Sequence, residues 1–122
     1  MNSSKRDTRA GLITRALSIR QPYAEQILRG SKKVEYRSRG TRIRGRVFLY
    51  AGLKPGQAPF WRRIGLAPGD LPTGRIVGSV EIVGCRELPS GMYAYVLRAP
   101  RRIRRALYPT NQPQPVFWRP QF

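Results

Sequence analysis

The chain has 122 residues, of which 40% are hydrophobic, and it carries 24 Lys and Arg against 6 Asp and Glu, a formal net charge of +18. This length suits one compact domain with a hydrophobic core, and the arginine-rich charge favours a polyanionic partner, because arginine pairs with phosphate and stacks on flat rings. The absence of histidine excludes Ser-His and Cys-His catalysis, histidine general bases and histidine-containing zinc sites.

The predicted elements are one early helix followed by many short strands. Residues 1–11 are polar and without periodicity, which predicts a flexible basic arm and leaves residues 12–122 as the domain. Residues 20–30 predict a short helix, with Pro22 in its first turn and Gly30 at its end. Apolar or alternating runs predict strands over residues 12–19, 32–37, 43–52, 74–84, 92–99 and 115–118, the last of them a candidate edge strand.

The second predicted strand holds a glutamate among cations. Alternation places Lys33, Glu35 and Arg37 on one face and Tyr36 on the other, where Tyr36 is expected to belong to the core. Strict alternation also puts Lys32 opposite Glu35. These two side chains can therefore share a cleft only through a bulge or at the transition from loop to strand.

The third predicted strand places basic and aromatic residues on one face, opposite the apolar side chains of Ile43, Val47 and Leu49. Arginines at alternate positions beside aromatic rings can follow a phosphate backbone. A solvated strand end followed by buried aromatic residues is an equally good interpretation. The residues on this face are Arg42, Arg44, Arg46, Phe48 and Tyr50.

Residues 53–74 are rich in proline and glycine and predict a long functional or mobile connection. It includes about one helical turn around Trp61, which either caps the core or lies at the rim of a cleft. Glu81 lies in an otherwise apolar strand. It either points outward by alternation or is a buried acid aimed into the fold.

Residues 100–109 read as a basic turn with no acid nearby, which is either solvated or an extension of a phosphate-binding track. The sole cysteine, Cys85, lies in an apolar run and is interpreted as a packed residue, and it cannot form a disulfide within the chain. No apolar run is long enough to span a membrane, and the first residues lack a signal-peptide pattern. A cytoplasmic protein without membrane contact, cofactor or metal is therefore expected.

Three motifs in order make the chain similar to a known family. Residues 16–44 read ALSIRQPYAEQILRGSKKVEYRSRGTRIR, followed by GRIVGSVEIVGC at 74–85 and YAYVLRAPRRI at 93–103. Together they resemble the ASCH (activating signal cointegrator homology) domain, from about residue 15 to the last strand. The resemblance implies a mostly β, α+β fold: a single small PUA-like mixed β-barrel with one or two short helices, a ligand cleft between helix and barrel, and RNA as the partner class.

The resemblance also implies a ligand site around the Lys-x-x-Glu pattern of Lys32 and Glu35. A cleft for a nucleotide needs donors for carbonyl or phosphate oxygens and an acceptor for an amine or hydroxyl, which Glu35 can supply. Tyr23 and Tyr36 can offer flat surfaces for stacking. The alternative is that Glu35 only forms a surface ion pair with a neighbouring cation. The predicted ligand- or RNA-binding residues are Arg20, Gln21, Tyr23, Lys32, Lys33, Glu35, Arg37, Thr41, Arg42 and Arg44, with a secondary basic track of Arg46, Arg101, Arg102, Arg104 and Arg105.

The expected function is a non-catalytic module that binds a single-stranded or modified nucleotide of RNA, with DNA as the alternative polyanion. Some small ASCH-type proteins hydrolyse the amide of N4-acetylcytidine with a lysine, a hydroxyl and a glutamate. Here the hydroxyl position after Lys32 is Glu35, and the short connection at 88–92 has no room for their acid. Others are described as ribonucleases, for which Lys32 and Glu35 would act as acid and base. A protein-interaction or ribosome-associated factor is the third alternative.

Overall fold

The structure, a computed structural model, describes residues 13–122, so the predicted arm at 1–11 lies outside the described residues. An early helix is followed by strands, as predicted. A second short helix occupies the proline-rich connection. Within the described residues, no helix is long and apolar enough to cross a membrane. The elements are β1 (Ala16–Arg20), α1 (Tyr23–Leu28), β2 (Val34–Arg37), β3 (Gly45–Gly52), α2 (Ala58–Arg63), β4 (Arg75–Glu87), β5 (Tyr93–Leu107) and β6 (Phe117–Trp118).

The strands form one sheet in the order β2-β5-β4-β3-β1-β6. β1 pairs with β3 in parallel, and the other neighbours are antiparallel. The sheet curls into a half-barrel, which confirms the expected small PUA-like α+β fold. β2 and β6 are the edges, and the curl brings them towards each other: Arg37 of β2 donates from Nη2 to the carbonyl oxygen of Ser18 in β1 at 2.6 Å. The gap between β2 and the β1–β6 pair is called the seam below.

Both faces of the sheet are buried at β3, which favours the interpretation of buried aromatic residues over that of a phosphate-tracking face. Val47 and Leu49 lie in the main core, together with Ala24 and Ile27 of α1. Phe48 and Tyr50 point the other way into a second cluster with Trp118 of β6, whose ring lies 5.2 Å from that of Tyr50. The aromatic residues of the third predicted strand are therefore core residues, not part of a phosphate track.

The predicted basic turn at 100–109 is wrong, because β5 continues to Leu107. The strand passes Pro100 through an irregularity: Ala99 adopts a φ of 53°, and the β4–β5 register shifts between Ser79 and Glu81. A bulge lets a strand accept a proline, which has no N–H for the ladder. A proline followed by arginines is typical of a turn in a sequence. Here the bulge allows the segment around Pro100 to remain part of β5.

The expectation that the 101–105 arginines have no acid nearby is also wrong for Arg102. Its guanidinium donates to both carboxylate oxygens of Glu25 in α1, at 2.8 and 3.0 Å, and Arg29 donates to Glu25 Oε2 at 2.7 Å. The bond from Arg102 is the main reason that the pKa of Glu25 lies below its ordinary value, although burial opposes this shift. This ion pair ties α1 to β5.

Glu25→Gln is expected to cost about 1–2 kcal/mol of unfolding free energy at neutral pH. Because the folded-state pKa of Glu25 is lowered, its contribution is present above the unfolded pKa of about 4.3 and is lost as the pH falls through the folded value. Urea unfolding at a series of pH values should therefore show the variant and the parent converging in acid. Glu87→Gln, at an exposed position, is the control; a gap that stays constant with pH would contradict the role of Glu25.

Candidate nucleic-acid interface

A cleft of about 430 Å³ opens at the seam, within the usual range of roughly 300–1,000 Å³ for small-molecule sites. Its walls come from the ends of β1 and β3, the start of α1, the edge strand β2 and the segment before β6. The cations Arg20, Arg37 and Lys54 lie around it, with the acid Glu35 and the ring of Tyr23. Ser18, Ile19, Gly52, Leu53, Pro115 and Val116 complete the lining.

Glu35 is the acidic group of this cleft and is only 8% exposed. Its Oε2 accepts a hydrogen bond from Arg37 Nε at 2.9 Å, and its Oε1 lies 3.4 Å from Lys32 Nζ. The pair with Arg37 is thus largely buried, unlike the surface ion pair considered above. A carboxylate has about four acceptor positions, so these two contacts leave capacity for a donor on a ligand.

Lys32 meets Glu35 because it precedes the strand. β2 begins at Val34, so strict alternation does not extend to Lys32, and the transition from loop to strand brings the two side chains together. Lys32 approaches Glu35 from outside the cleft and lines an adjoining depression with Lys33. Of the Lys-x-x-Glu pair, Glu35 faces the seam cleft and Lys32 lies behind it.

Arg37 holds both sides of the seam. It donates to Glu35 from Nε at 2.9 Å and to the Ser18 carbonyl from Nη2 at 2.6 Å. A guanidinium has about five N–H donors, so three remain after these bonds. Arg37 therefore presents fixed donors to the cleft at little entropic cost to a ligand.

The expectation that Tyr36 belongs to the core is wrong: Tyr36 is 54% exposed. The alternation of β2 is real, but the polar face turns inward, because Glu35 finds its partners there. Lys32 Nζ lies 5.5 Å from the ring centroid of Tyr36 and 5.6 Å from that of Tyr23. The two rings predicted to stack on bases thus both lie close to one ammonium group.

The ASCH domain model matches residues 17–110, which include β2 to β5 and all of β1 except its first residue. This chain belongs to the ASCH family. ASCH is a PUA-like superfamily domain, and the family is often linked to RNA binding. No curated protein sequence matches the chain significantly.

Gln21 does not present a free polar group in this ASCH domain. Gln21 is only 1% exposed. Its Oε1 accepts a hydrogen bond from the backbone amide of Glu25, and its Nε2 donates one to the Pro72 carbonyl oxygen, each at 3.0 Å. Gln21 therefore fixes the start of α1 and the connection before β4. The side chain predicted to bind a ligand therefore has a structural role instead.

Thr41, Arg42 and Arg44 line a separate shallow depression, not the seam cleft. Arg44 donates to the carbonyl oxygens of Thr41 and Ile43 at 3.1 and 2.9 Å, which orders the turn before β3. Cys85 also borders this depression and packs against the main core, as expected of a packed residue.

Arg46 links three strands of the ASCH domain instead of following a phosphate backbone. It donates to Ser79 Oγ and to the Ala99 carbonyl, both at 2.9 Å, which supports the β5 irregularity. Burial, and then the nearby Arg101, lower the pKa of Arg46. Glu81 points outward and pairs with Arg98 at 2.8 Å. Among the predicted secondary track, the exposed arginines without such anchors are Arg101, Arg104 and Arg105.

Trp61 caps the core and does not line the cleft. It is 2% exposed, and its Nε1 donates to the Gly56 carbonyl at 3.2 Å. Sequence reasoning missed Lys54 and Leu53, which do line the cleft. They follow β3, whose parallel register with β1 pairs Arg20 with Gly52. Predicting that parallel pair would have placed both carboxyl-terminal strand ends, and hence Lys54, beside Arg20.

Proposed function

We propose that this ASCH domain binds single-stranded RNA and holds one nucleotide in the seam cleft. The observation that carries the proposal is Glu35, an acid with 8% exposure that two cations fix at the wall of a cleft of about 430 Å³. In a chain of charge +18, one enclosed acceptor among donors is suited to reading a polar heterocycle.

Charge attracts and orients the strand. A net charge of +18 draws polyanions over a distance of about 8 Å at physiological salt. Arg20 and Lys54 are exposed at the cleft and can contact phosphate oxygens of the bound strand. These contacts supply affinity without regard to base identity.

Base identity is then read inside the cleft. Glu35 accepts from an exocyclic amine or a ribose hydroxyl, and the remaining donors of Arg37 serve a carbonyl or phosphate oxygen. Because Arg37 and Lys32 already hold the Glu35 carboxylate in place, ligand binding costs little side-chain conformational entropy.

Fluorescence anisotropy with labelled homopolymeric RNAs tests this proposal. Affinity should fall steeply with salt, and Glu35→Gln should weaken one preferred nucleotide about tenfold, or about 1.4 kcal/mol, while the salt slope stays the same. Glu87→Gln is the control for loss of one exposed negative charge. Equal weakening on every homopolymer, or tighter binding to single-stranded or duplex DNA than to RNA, would contradict a base-reading RNA cleft.

A ribonuclease is the second candidate, and the 3.4 Å approach of Lys32 Nζ to Glu35 Oε1 is the observation in its favour. In such a reaction Glu35 would act as the base that takes the proton from a ribose hydroxyl as its oxygen attacks phosphorus, and Lys32 as the acid that protonates the leaving oxygen as its bond to phosphorus breaks. RNA fragments that appear on incubation with the protein, and are absent with Lys32→Met, would establish this activity. If the RNA stays intact, only the binding function remains.

A cytoplasmic location stays a prediction from the single cysteine.

A further inference from the structure

A second concave surface of about 420 Å³ adjoins the seam cleft, and Tyr23 lines both. It is bounded by the start of α1, the segment before β2, the outer side of β2 and the end of α2. Aromatic rings and cations line it together. We call it the aromatic shelf: Tyr23, Lys32, Tyr36, Phe60 and Arg63.

Two rings of the shelf, Tyr23 and Phe60, are held in place by packing. Tyr23 and Phe60 pack edge to face, with centroids 5.1 Å apart and planes at 63°. Arg63 Cζ lies 5.0 Å from the centroid of Phe60. Gly56 approaches Tyr23 so closely that a Cβ added there would lie 2.7 Å from Tyr23 Cε2. The connection between β3 and α2 thus buttresses Tyr23 from behind.

We propose that the aromatic shelf is a second base-binding site, which stacks the nucleobase next to the one held in the seam cleft. This inference rests on the proposed function. Tyr36, at 54% exposure, supplies an accessible ring that the fold does not need for its core. Stacking on such a ring accepts any base and contributes on the order of 1–3 kcal/mol.

Lys32 connects the two sites. Its ammonium group lies 3.4 Å from Glu35 Oε1 at the wall of the cleft and about 5.5 Å from the Tyr36 ring on the shelf. A phosphate that joins two nucleotides, one on each side, would meet Lys32, and Arg63 lies at the far end of the shelf for the next phosphate. Cations beside exposed rings suit a strand of bases and phosphates better than an apolar peptide.

The test uses a short RNA with 2-aminopurine beside the preferred nucleotide, whose fluorescence falls on stacking. Tyr36→Leu should weaken binding of the RNA about tenfold and abolish the quenching, whereas Tyr36→Phe should retain both. Tyr108→Leu is the matched control, since Tyr108 is 58% exposed with Arg75 Cζ 5.0 Å from its ring centroid. Circular dichroism confirms that each variant is folded.

Binding of a mononucleotide distinguishes the contribution of the shelf from that of the cleft, because a single nucleotide can occupy only the cleft under this proposal. Its binding should be unchanged in Tyr36→Leu and weakened in Glu35→Gln. If Glu35→Gln weakens RNA binding and Tyr36→Leu does not, the shelf is overturned and the proposed function stands. If Tyr36→Leu also weakens the mononucleotide, Tyr36 acts on the cleft and the second site is overturned. If the parent protein binds no RNA, the proposed function fails, and the shelf fails with it; binding of an aromatic acidic peptide in its place would then assign the shelf to a protein partner.

Discussion

Gly78→Ala is expected to destabilise the fold by about 3 kcal/mol, out of a total of roughly 5–15 kcal/mol for a domain. Gly78 lies in β4, opposite Arg102 of β5 and beneath α1. A Cβ at this position would collide with the backbone carbonyl oxygen of Arg101 and would lie 2.6 Å from Leu28 Cδ2. A flexible side chain can move away, but the carbonyl belongs to the irregular part of β5 and cannot move without shifting the strand.

Gly84→Ala is the matched control for this prediction, because it lies in the same strand. A Cβ at Gly84 would make an ordinary contact at 3.6 Å with Val96 Cγ2. Urea unfolding of both variants measures the difference, and we expect Gly84→Ala to stay within about 0.5 kcal/mol of the parent. Similar midpoints for the two variants would show that β5 adjusts freely at Arg101, contrary to the close packing of α1 on β4 and β5.

Arg37→Ala is expected to lower both stability and RNA affinity. It removes the bond to the Ser18 carbonyl and leaves a carboxylate of 8% exposure with only Lys32 as partner, which costs about 2–3 kcal/mol. Under the proposed function, the affinity for the preferred RNA should fall more than tenfold. The salt slope should decrease by about one if Arg37 also contacts a phosphate.

Two further variants, Arg37→Lys and Arg39→Ala, separate the loss of the specific hydrogen bonds of Arg37 from the loss of one positive charge. Lysine keeps the charge but, without the planar fork, cannot hold Glu35 and Ser18 together, so recognition of the preferred nucleotide should remain impaired. Arg39 is an exposed arginine in the turn after β2, and its removal should change affinity little. Thermal unfolding and anisotropy on the same samples distinguish the effects. Equal losses of RNA affinity for Arg37→Ala and Arg39→Ala would show that Arg37 contributes only its positive charge.

Much of the fold follows from local pattern, and the errors have local causes. Runs of apolar residues predicted β3 and β4, which are each buried over five consecutive residues, and the spacing of one apolar face predicted α1. The same reasoning put Tyr36 in the core, since a tyrosine beside a glutamate is ordinarily the buried partner. Only the positions of Lys32 and Arg37 in three dimensions show why the carboxylate faces inward.

The candidate site was predictable in part, through family resemblance. Arg20, Tyr23, Glu35 and Arg37 line the seam cleft as one group, but Gln21 lies beneath it as a structural residue. The remaining walls depend on strand pairing across the chain, such as the parallel β1–β3 register, and no local motif encodes that pairing. The partner of Arg102 was missed for the same reason, because Glu25 is 77 residues away along the chain.

One side of the seam, the β1–β6 pair, joins segments from opposite ends of the described chain. Ser18 donates from its amide to the Val116 carbonyl at 2.8 Å, and its hydroxyl accepts from Trp118 Nε1 at 2.9 Å. During synthesis, a ribosome must therefore release residues 115–118 before the pocket that begins at residue 18 can close. Contacts of such long sequence separation form slowly, so a nascent chain would pair β2, β3, β4 and β5 first and would gain its capacity to bind a ligand only after residues 115–118 have emerged.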